Sequence, residues 1–285
     1  MDQNVIVTLL AANECAGNLF RQPHNATFYI APSPLPLPGD SVSRETSLSV
    51  ELDDNNNTSS RIQLTFDKRP RMIVDGFTFG KNPKICDVYL PKSSISNKHF
   101  SITFDDDRRL CLIDTSSHGS WVSYNGQRSL HPRHFFIWML SPKDKIEVDI
   151  GEKDPIRFII QVPNHPYERA SLASYLEDRQ RAGPSRSDMH LFSQHTTPRS
   201  SRATSPRRQA WYFEGKELGR GGFGTVHEVC DVSKGVWFAL KKFSRPGWRR
   251  EIDIMKTLSH VRWISPTCGR SNETQGTHRA VHRRF

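Results

Sequence analysis

The sequence predicts a mainly β protein: an antiparallel β-sandwich, then a smaller α+β fragment, with a disordered arm, linker and tail around them. Three observations carry this reading. Between residues 62 and 162, short apolar runs alternate with Gly, Asn, Asp and Pro at intervals of about ten residues, the texture of a sandwich. A glycine-rich turn at 219–224 is followed by strand-forming residues and then, over Trp248–Leu258, by helical periodicity. The apolar fraction of 35% over 285 residues is low for a wholly globular chain, so substantial irregular segments are expected.

Taken in order, residues 1–59 begin with the apolar segment Val5–Ala12 and then turn polar. Pro32, Pro34, Pro36 and Pro38 favour extended backbone without a ladder. Asp53–Asn57 closes a stretch that reads as a largely disordered arm. Residues 60–165 carry the strand texture: Ile62, Leu64 and Phe66 alternate, as do Phe100, Ile102 and Phe104. Leu110–Ile113, Trp121–Val122, Phe135–Leu140, Ile146–Val148 and Ile156–Val162 continue it. This region is expected to fold alone. Residues 166–210 are rich in Arg, Ser and Thr and read as a flexible basic linker. Within it, Ser193-Gln194, Thr197-Pro198 and Ser205-Pro206 are candidate phosphorylation sites, through which two copies would associate. Residues 211–260 form the α+β fragment, and 261–285 an irregular tail without periodicity, resembling a shifted frame or translated intron.

The net charge of +10 is compatible with nucleic acid or acidic partners and by itself selects neither. The Arg-rich linker makes nonspecific nucleic-acid binding the lowest-ranked function. Val5–Ala12 is too short to span a bilayer and lacks a basic flank, so neither a membrane role nor a signal peptide is expected. Cysteines at 15, 86, 111, 230 and 268 form no CxxC pair and fit a reducing compartment. No metal site is expected.

Three blocks stand where strands give way to loops: Gly76-Phe77-Thr78-Phe79-Gly80-Lys81, Ile95-Ser96-Asn97-Lys98-His99-Phe100 and Asp114-Thr115-Ser116-Ser117-His118-Gly119-Ser120. Each brings a cation, hydroxyl, amide or glycine to a loop, the ingredients of a phosphate pocket. In order and spacing they resemble the forkhead-associated (FHA) domain, a family of β-sandwiches that read phosphothreonine on partner proteins. The resemblance implies that Lys81, Ser96, Asn97, Ser117 and His118 bind the phosphopeptide. His99 would brace the binding loop, and Gly80 and Gly119 would let the backbone turn beside the ligand. The family prefers arginine where Lys81 stands; lysine keeps the charge and loses the planar fork. It prefers asparagine where His118 stands.

In the second region, Leu218-Gly219-Arg220-Gly221-Gly222-Phe223-Gly224-Thr225-Val226 leads into Phe238-Ala239-Leu240-Lys241. In the helix that follows, Glu251 shares a side with Met255 and Leu258, and a carboxylate there requires a cation, for which Lys241 is the candidate. Strand, glycine loop, strand, lysine and helix with glutamate resemble the N-terminal lobe of a Ser/Thr protein kinase. By that resemblance Gly219, Gly221, Gly224, Val226, Ala239, Lys241 and Glu251 bind ATP with Mg²⁺, Lys241 contacting the phosphates and Glu251 holding Lys241. The catalytic-loop Asp and the metal-binding Asn and Asp of that family have no counterpart after Lys241. The expectation for these residues alone is therefore weak or absent ATP binding and no phosphotransfer. An FHA domain before a kinase domain is the layout of fungal DNA-damage checkpoint kinases, which implies action in the nucleus or cytoplasm, the nucleus favoured.

Overall fold

The computed structural model describes residues 4–32, 59–129, 131–133, 135–183, 211–222, 224–243 and 279–283. They divide into two units, residues 1–205 and 206–285.

The first unit is built on two sheets. Its strands are β1 (Val5–Ala11), β2 (Tyr29–Ile30), β3 (Arg61–Thr65), β4 (Phe77–Gly80), β5 (Val88–Tyr89), β6 (Phe100–Phe104), β7 (Leu110–Asp114), β8 (Trp121–Tyr124), β9 (Gln127–Arg128), β10 (Phe136–Met139), β11 (Ile146–Ile150) and β12 (Ile156–Gln161). One sheet runs β2-β3-β1-β12-β11-β8-β9, the other β10-β7-β6-β4-β5. Aromatic pairs Phe100–Phe158, Phe28–Phe77 and Phe66–Phe104, with centroids 5.9–6.1 Å apart, fill the space between the sheets. At Asn125-Gly126, both residues at positive φ, the β8–β9 hairpin turns tightly, as Asn-Gly favours.

This arrangement corrects the reading of residues 1–59 as a disordered arm. β1 lies between β3 and β12, with Leu9 opposite both Ile62 and Ile160. Val7 and Leu9 are fully buried. A strand covered on both faces and paired on both edges reads as a continuous apolar run rather than an alternation. Helix α1 (Glu14–Phe20) follows, capped by Asn13, whose Oδ1 accepts the Ala16 N–H at 3.0 Å. Phe20 is buried against Phe158. At the end of a 3₁₀ turn (Pro23–Asn25), buried Asn25 fixes β5 by accepting the Tyr89 N–H at 2.7 Å and donating to its carbonyl at 3.0 Å. Residues 33–58, including most of the proline series and Asp53–Asn57, lie outside the described residues.

The linker reading is corrected at its start. Helix α2 (Arg169–Ala182) occupies residues expected to be irregular. Its one buried residue, Tyr175, contacts the rings of Phe66 and Phe104, while the Arg69 guanidinium sits 5.5 Å from the Tyr175 ring centroid. Leu172, Tyr175 and Leu176 stand at i, i+3 and i+4, a stripe too short to stand out against the Arg- and Ser-rich composition around it. Ser193, Thr197 and Ser205 lie outside the described residues.

The second unit is a single sheet in the order β13-β14-β15-β16: β13 (Tyr212–Gly221), β14 (Gly224–Asp231), β15 (Val236–Phe243) and β16 (Arg279–Arg283). The glycine loop is the tip of the β13–β14 hairpin, Gly221 facing Gly224. β16 corrects the irregular tail at 279–283: it pairs antiparallel along β15, from Lys242↔Arg279 to Phe238↔Arg283. An open sheet edge offers unpaired backbone groups to a strand whatever its side-chain pattern. The expected helix at 248–258 and its Glu251 lie outside the described residues.

Candidate functional site

Loops at one end of the sandwich bring the three sequence blocks together. The chain leaves β4 at Gly80, and the Lys81 N–H donates to the Ser96 carbonyl at 3.1 Å. The Asn82 N–H donates to the Asn97 carbonyl at 3.2 Å. Ser96 Oγ accepts the Ser117 N–H at 3.2 Å and lies 3.2 Å from Ser117 Oγ, which is 3.1 Å from His118 Nδ1. Lys81, Ser96, Asn97, Ser117 and His118 thus lie on adjoining loops, and all but half-buried Ser96 are exposed. The site offers an ammonium, two hydroxyls and an imidazole to an anion.

Gly80 and Gly119 are required by contact. A Cβ at Gly80 would lie 2.2 Å from the Asn97 carbonyl oxygen. Gly119 has φ +80, and its Cβ would meet the Arg133 backbone at 2.9 Å.

Behind the loops lies a buried network that fixes them. His99, fully buried, accepts the Ser96 N–H at Nδ1, 3.1 Å away. Its proton is therefore on Nε2, which faces Ser120 Oγ at 3.3 Å. Ser120 in turn donates to Asp114 Oδ2 at 2.5 Å. The other carboxylate oxygen of Asp114 accepts from Ser116 N–H and Oγ at 2.9 and 2.7 Å, and Ser116 Oγ accepts the Gly119 N–H at 2.8 Å. One chain of hydrogen bonds thus runs from the Ser96 loop to the Gly119 loop. His99 lies between the Ser96 backbone and the Ser120 hydroxyl. Asp114, Ser116 and Ser120 were missed by the sequence reading; short polar residues at a strand end look like ordinary turn chemistry.

Burial, then repulsion from His118, pushes the His99 pKa down to about 4 from 6.5, opposed by a hydrogen bond with the Gly119 backbone. Asp114 Oδ2, 4.0 Å from Nε2, is beyond direct hydrogen-bond reach. A depressed histidine pKa means that the unfolded chain takes up a proton the folded chain refuses. The fold is therefore at full stability above pH 6.5 and loses it as pH falls toward 4, by about 2 kcal/mol between pH 7 and 5. Urea midpoints at the two pH values should differ accordingly, and His99→Gln should remove most of that difference. Equal pH dependence in both proteins would exclude His99 as the cause.

In the second unit, Val226 is the cross-strand partner of Lys241, and Glu228 of Ala239. Val226, Ala239 and Lys241 therefore share one sheet face, below the hairpin tip that carries Gly219, Gly221 and Gly224. The Lys241 ammonium lies 5.1 Å from the Phe243 ring centroid. On the other face Lys242 and His227 both pair with Glu214.

Residues 77–148 match the FHA domain family, and the sandwich carries an FHA domain. Over 213 residues the chain is 28% identical to Serine/threonine-protein kinase RAD53 of Saccharomyces cerevisiae, covering 69% of this chain and 24% of that protein. It is 26% identical over 210 residues to Serine/threonine-protein kinase cds1 of Schizosaccharomyces pombe, covering 66% of this chain and 38% of that one. The similarity to both kinases thus extends beyond the FHA segment. The chain spans about a quarter and somewhat over a third of their respective lengths. Among solved structures, the N-terminal FHA domain of S. cerevisiae Rad53p with a phosphothreonine peptide is 37% identical, covering 31% of this chain and 68% of its own, at a TM-score of 0.25.

Proposed function

We infer that the sandwich binds threonine-phosphorylated segments of partner proteins through Lys81, Ser96, Asn97, Ser117 and His118. The observation that carries this is the convergence of those residues, from three separate blocks, around the Ser96–Ser117 contact. A phosphothreonine brings close to two negative charges and three strong acceptor oxygens. Lys81 supplies the opposing charge. The two serine hydroxyls, now bonded to each other and to His118, turn toward the phosphate without any loop having to move.

Titration of a fluorescent phosphothreonine peptide tests this. Affinity in the micromolar range, about −8 kcal/mol, is expected. A charge-assisted contact contributes roughly 1.5–3 kcal/mol, so Ser96→Ala and Lys81→Ala each weaken binding at least about tenfold. Lys81→Arg strengthens it by restoring a two-pronged donor. Equal affinity for the unphosphorylated peptide would refute the reading.

The second unit is read as the N-terminal lobe of a Ser/Thr kinase domain, with ATP and Mg²⁺ as its ligands in a longer polypeptide. The supporting observation is the shared face of Val226, Ala239 and Lys241 under the glycine hairpin. A flat face with small and branched residues fits an adenine ring, and the hairpin glycines, with open space at Gly219 and Gly221, fit phosphates beside the backbone. Glu251 would complete it as the partner of Lys241.

A further inference from the structure

Away from the phosphate pocket, one cluster places a thiol against an amine. The Lys92 ammonium donates to Cys15 Sγ at 3.1 Å, to the Asp154 carboxylate at 2.7 Å and to the Asp154 carbonyl. An ammonium has three donors and no acceptor, so these groups take up its whole capacity and the sulfur is the acceptor. The three residues come from α1, from the stretch between β5 and β6, and from the turn between β11 and β12.

Its surroundings hold the pair in contact. Cys15 stands in the first turn of α1, and the cap of that helix, Asn13, also donates to the Pro155 carbonyl at 2.7 Å. Asp154 has φ +53, a left-handed conformation that aspartate enters more readily than most residues. Its carbonyl and its carboxylate both meet the same ammonium. The Lys92 backbone is fixed as well, its N–H donating to the Leu90 carbonyl at 2.9 Å and its carbonyl accepting the Ile95 N–H at 3.0 Å. The Lys92 side chain is only 19% exposed. Among the described cysteines, Cys15 is half-buried, whereas Cys86, Cys111 and Cys230 are buried. Burial pushes the Cys86 thiol up to about 11, as expected of an inert cysteine.

We propose that Cys15 and Lys92 are the site of a reversible oxidative cross-link, an S–N bond made when a peroxide reaches the half-buried sulfur. In the first step the sulfur attacks one peroxide oxygen. The S–O bond forms as the O–O bond breaks, sulfur is oxidised by two electrons, the peroxide is reduced, and its other oxygen leaves as water. In the second step the Lys92 nitrogen, having given up a proton, attacks the sulfenic sulfur. The S–N bond forms, the S–O bond breaks, and a second water leaves. Thiol, ammonium and one hydrogen peroxide thus give the S–NH link, two waters and one proton. The Asp154 carboxylate, in contact with the ammonium and 76% exposed, relays that proton to solvent. Thiols reverse such a bond, so a reducing compartment keeps it open until peroxide rises. The link joins α1 to the stretch that leads into Ser96. It does not depend on the phosphopeptide reading.

The test treats the full chain, reduced and then freed of reductant, with hydrogen peroxide, followed by digestion without reductant and mass spectrometry. A linked pair of peptides containing Cys15 and Lys92 is expected, lighter than their sum by two hydrogens and separated again by dithiothreitol. Cys15→Ser and Lys92→Arg should each abolish it. The arginine keeps a cation for Asp154, so the fold is preserved. In Lys92→Arg the sulfenic acid at Cys15 has no amine to meet, and dimedone should label Cys15 more heavily than in the unsubstituted chain. The urea midpoint of the oxidised protein should rise, because a link between distant residues restricts the unfolded chain, and should return on reduction. Neither variant should show that shift. Peroxide treatment that leaves Cys15 and Lys92 unlinked, whether the sulfur stays a thiol or goes on to sulfinic acid, overturns the cross-link, as does a link from Cys15 to a different amine. A linked pair heavier by one oxygen overturns the S–N bond in favour of an N–O–S bridge.

Discussion

A fragment of residues 60–165 will not fold, whereas residues 1–183 will unfold in one cooperative transition. The shorter fragment has the boundaries that the strand texture alone indicates, and it lacks β1, α1 and β2. It loses Ile6, Val7, Leu9, Leu19, Phe20 and Phe28, all buried. Each such side chain contributes about 1.5–3 kcal/mol on burial. Their sum, on the order of 10 kcal/mol, matches or exceeds the whole stability of an ordinary domain. The fragment also exposes β3 and β12 along the edges that β1 occupied. Amide NMR spectra decide the matter: dispersed peaks are expected for 1–183 and collapsed ones for 60–165. A dispersed spectrum from 60–165 would show that β1 is dispensable.

Gly80→Ala should cost at least about 3 kcal/mol and about a hundredfold in phosphopeptide affinity. The added methyl would meet the carbonyl carbon and oxygen of Asn97 at 2.8 and 2.2 Å and Cys86 Sγ at 2.9 Å. Two of these atoms are backbone, so no rotamer change relieves the clash. The segment that carries Ser96 and Asn97 has to move, taking with it the acceptor of the Lys81 amide. Gly17→Ala is the matched control. Its Cβ would find its nearest neighbours at 3.8–3.9 Å on a helix, where alanine stabilises by up to about 1 kcal/mol. Urea denaturation and peptide titration on both variants give the two readouts. A Gly80→Ala protein with unchanged midpoint and affinity would mean that the β4 turn does not press on the Asn97 loop.

Much of this was written in the sequence, and the parts that were not have physical reasons. Phe79-Gly80-Lys81, Ser96-Asn97 and Ser117-His118-Gly119 were legible because loop residues of special conformation or charge stand out against strands. β6 and β7 were legible from their apolar residues, and the Ser101 and Thr103 that alternate with them are buried too. β1 was not assigned to the sandwich, because a strand buried on both faces shows no alternation and a long polar stretch separates it from β3. The same stretch hid His24 and Asn25, whose partners lie at residues 71 and 89. The His99–Ser120–Asp114 chain was invisible for a different reason. Ser120 and Asp114 are ordinary turn residues, and only the register of β6 against β7, with Phe100 opposite Asp114, brings them into line with His99.

The place of β1 also sets the order in which the molecule can be made. Its first neighbour, β3, leaves the ribosome early, but its second, β12, is the last strand of the sandwich to be synthesised. At usual translation speeds the two are separated by on the order of ten seconds. Throughout that interval Val5–Ala11, the least polar strand of the sheet, has one edge open. Closure of the sandwich is therefore a late, single event that joins the two ends of the domain, and a slow one, since pairings so distant along the chain carry the largest entropic cost. A nascent chain stalled before Ile156 is the form of this protein most exposed to aggregation and to chaperones.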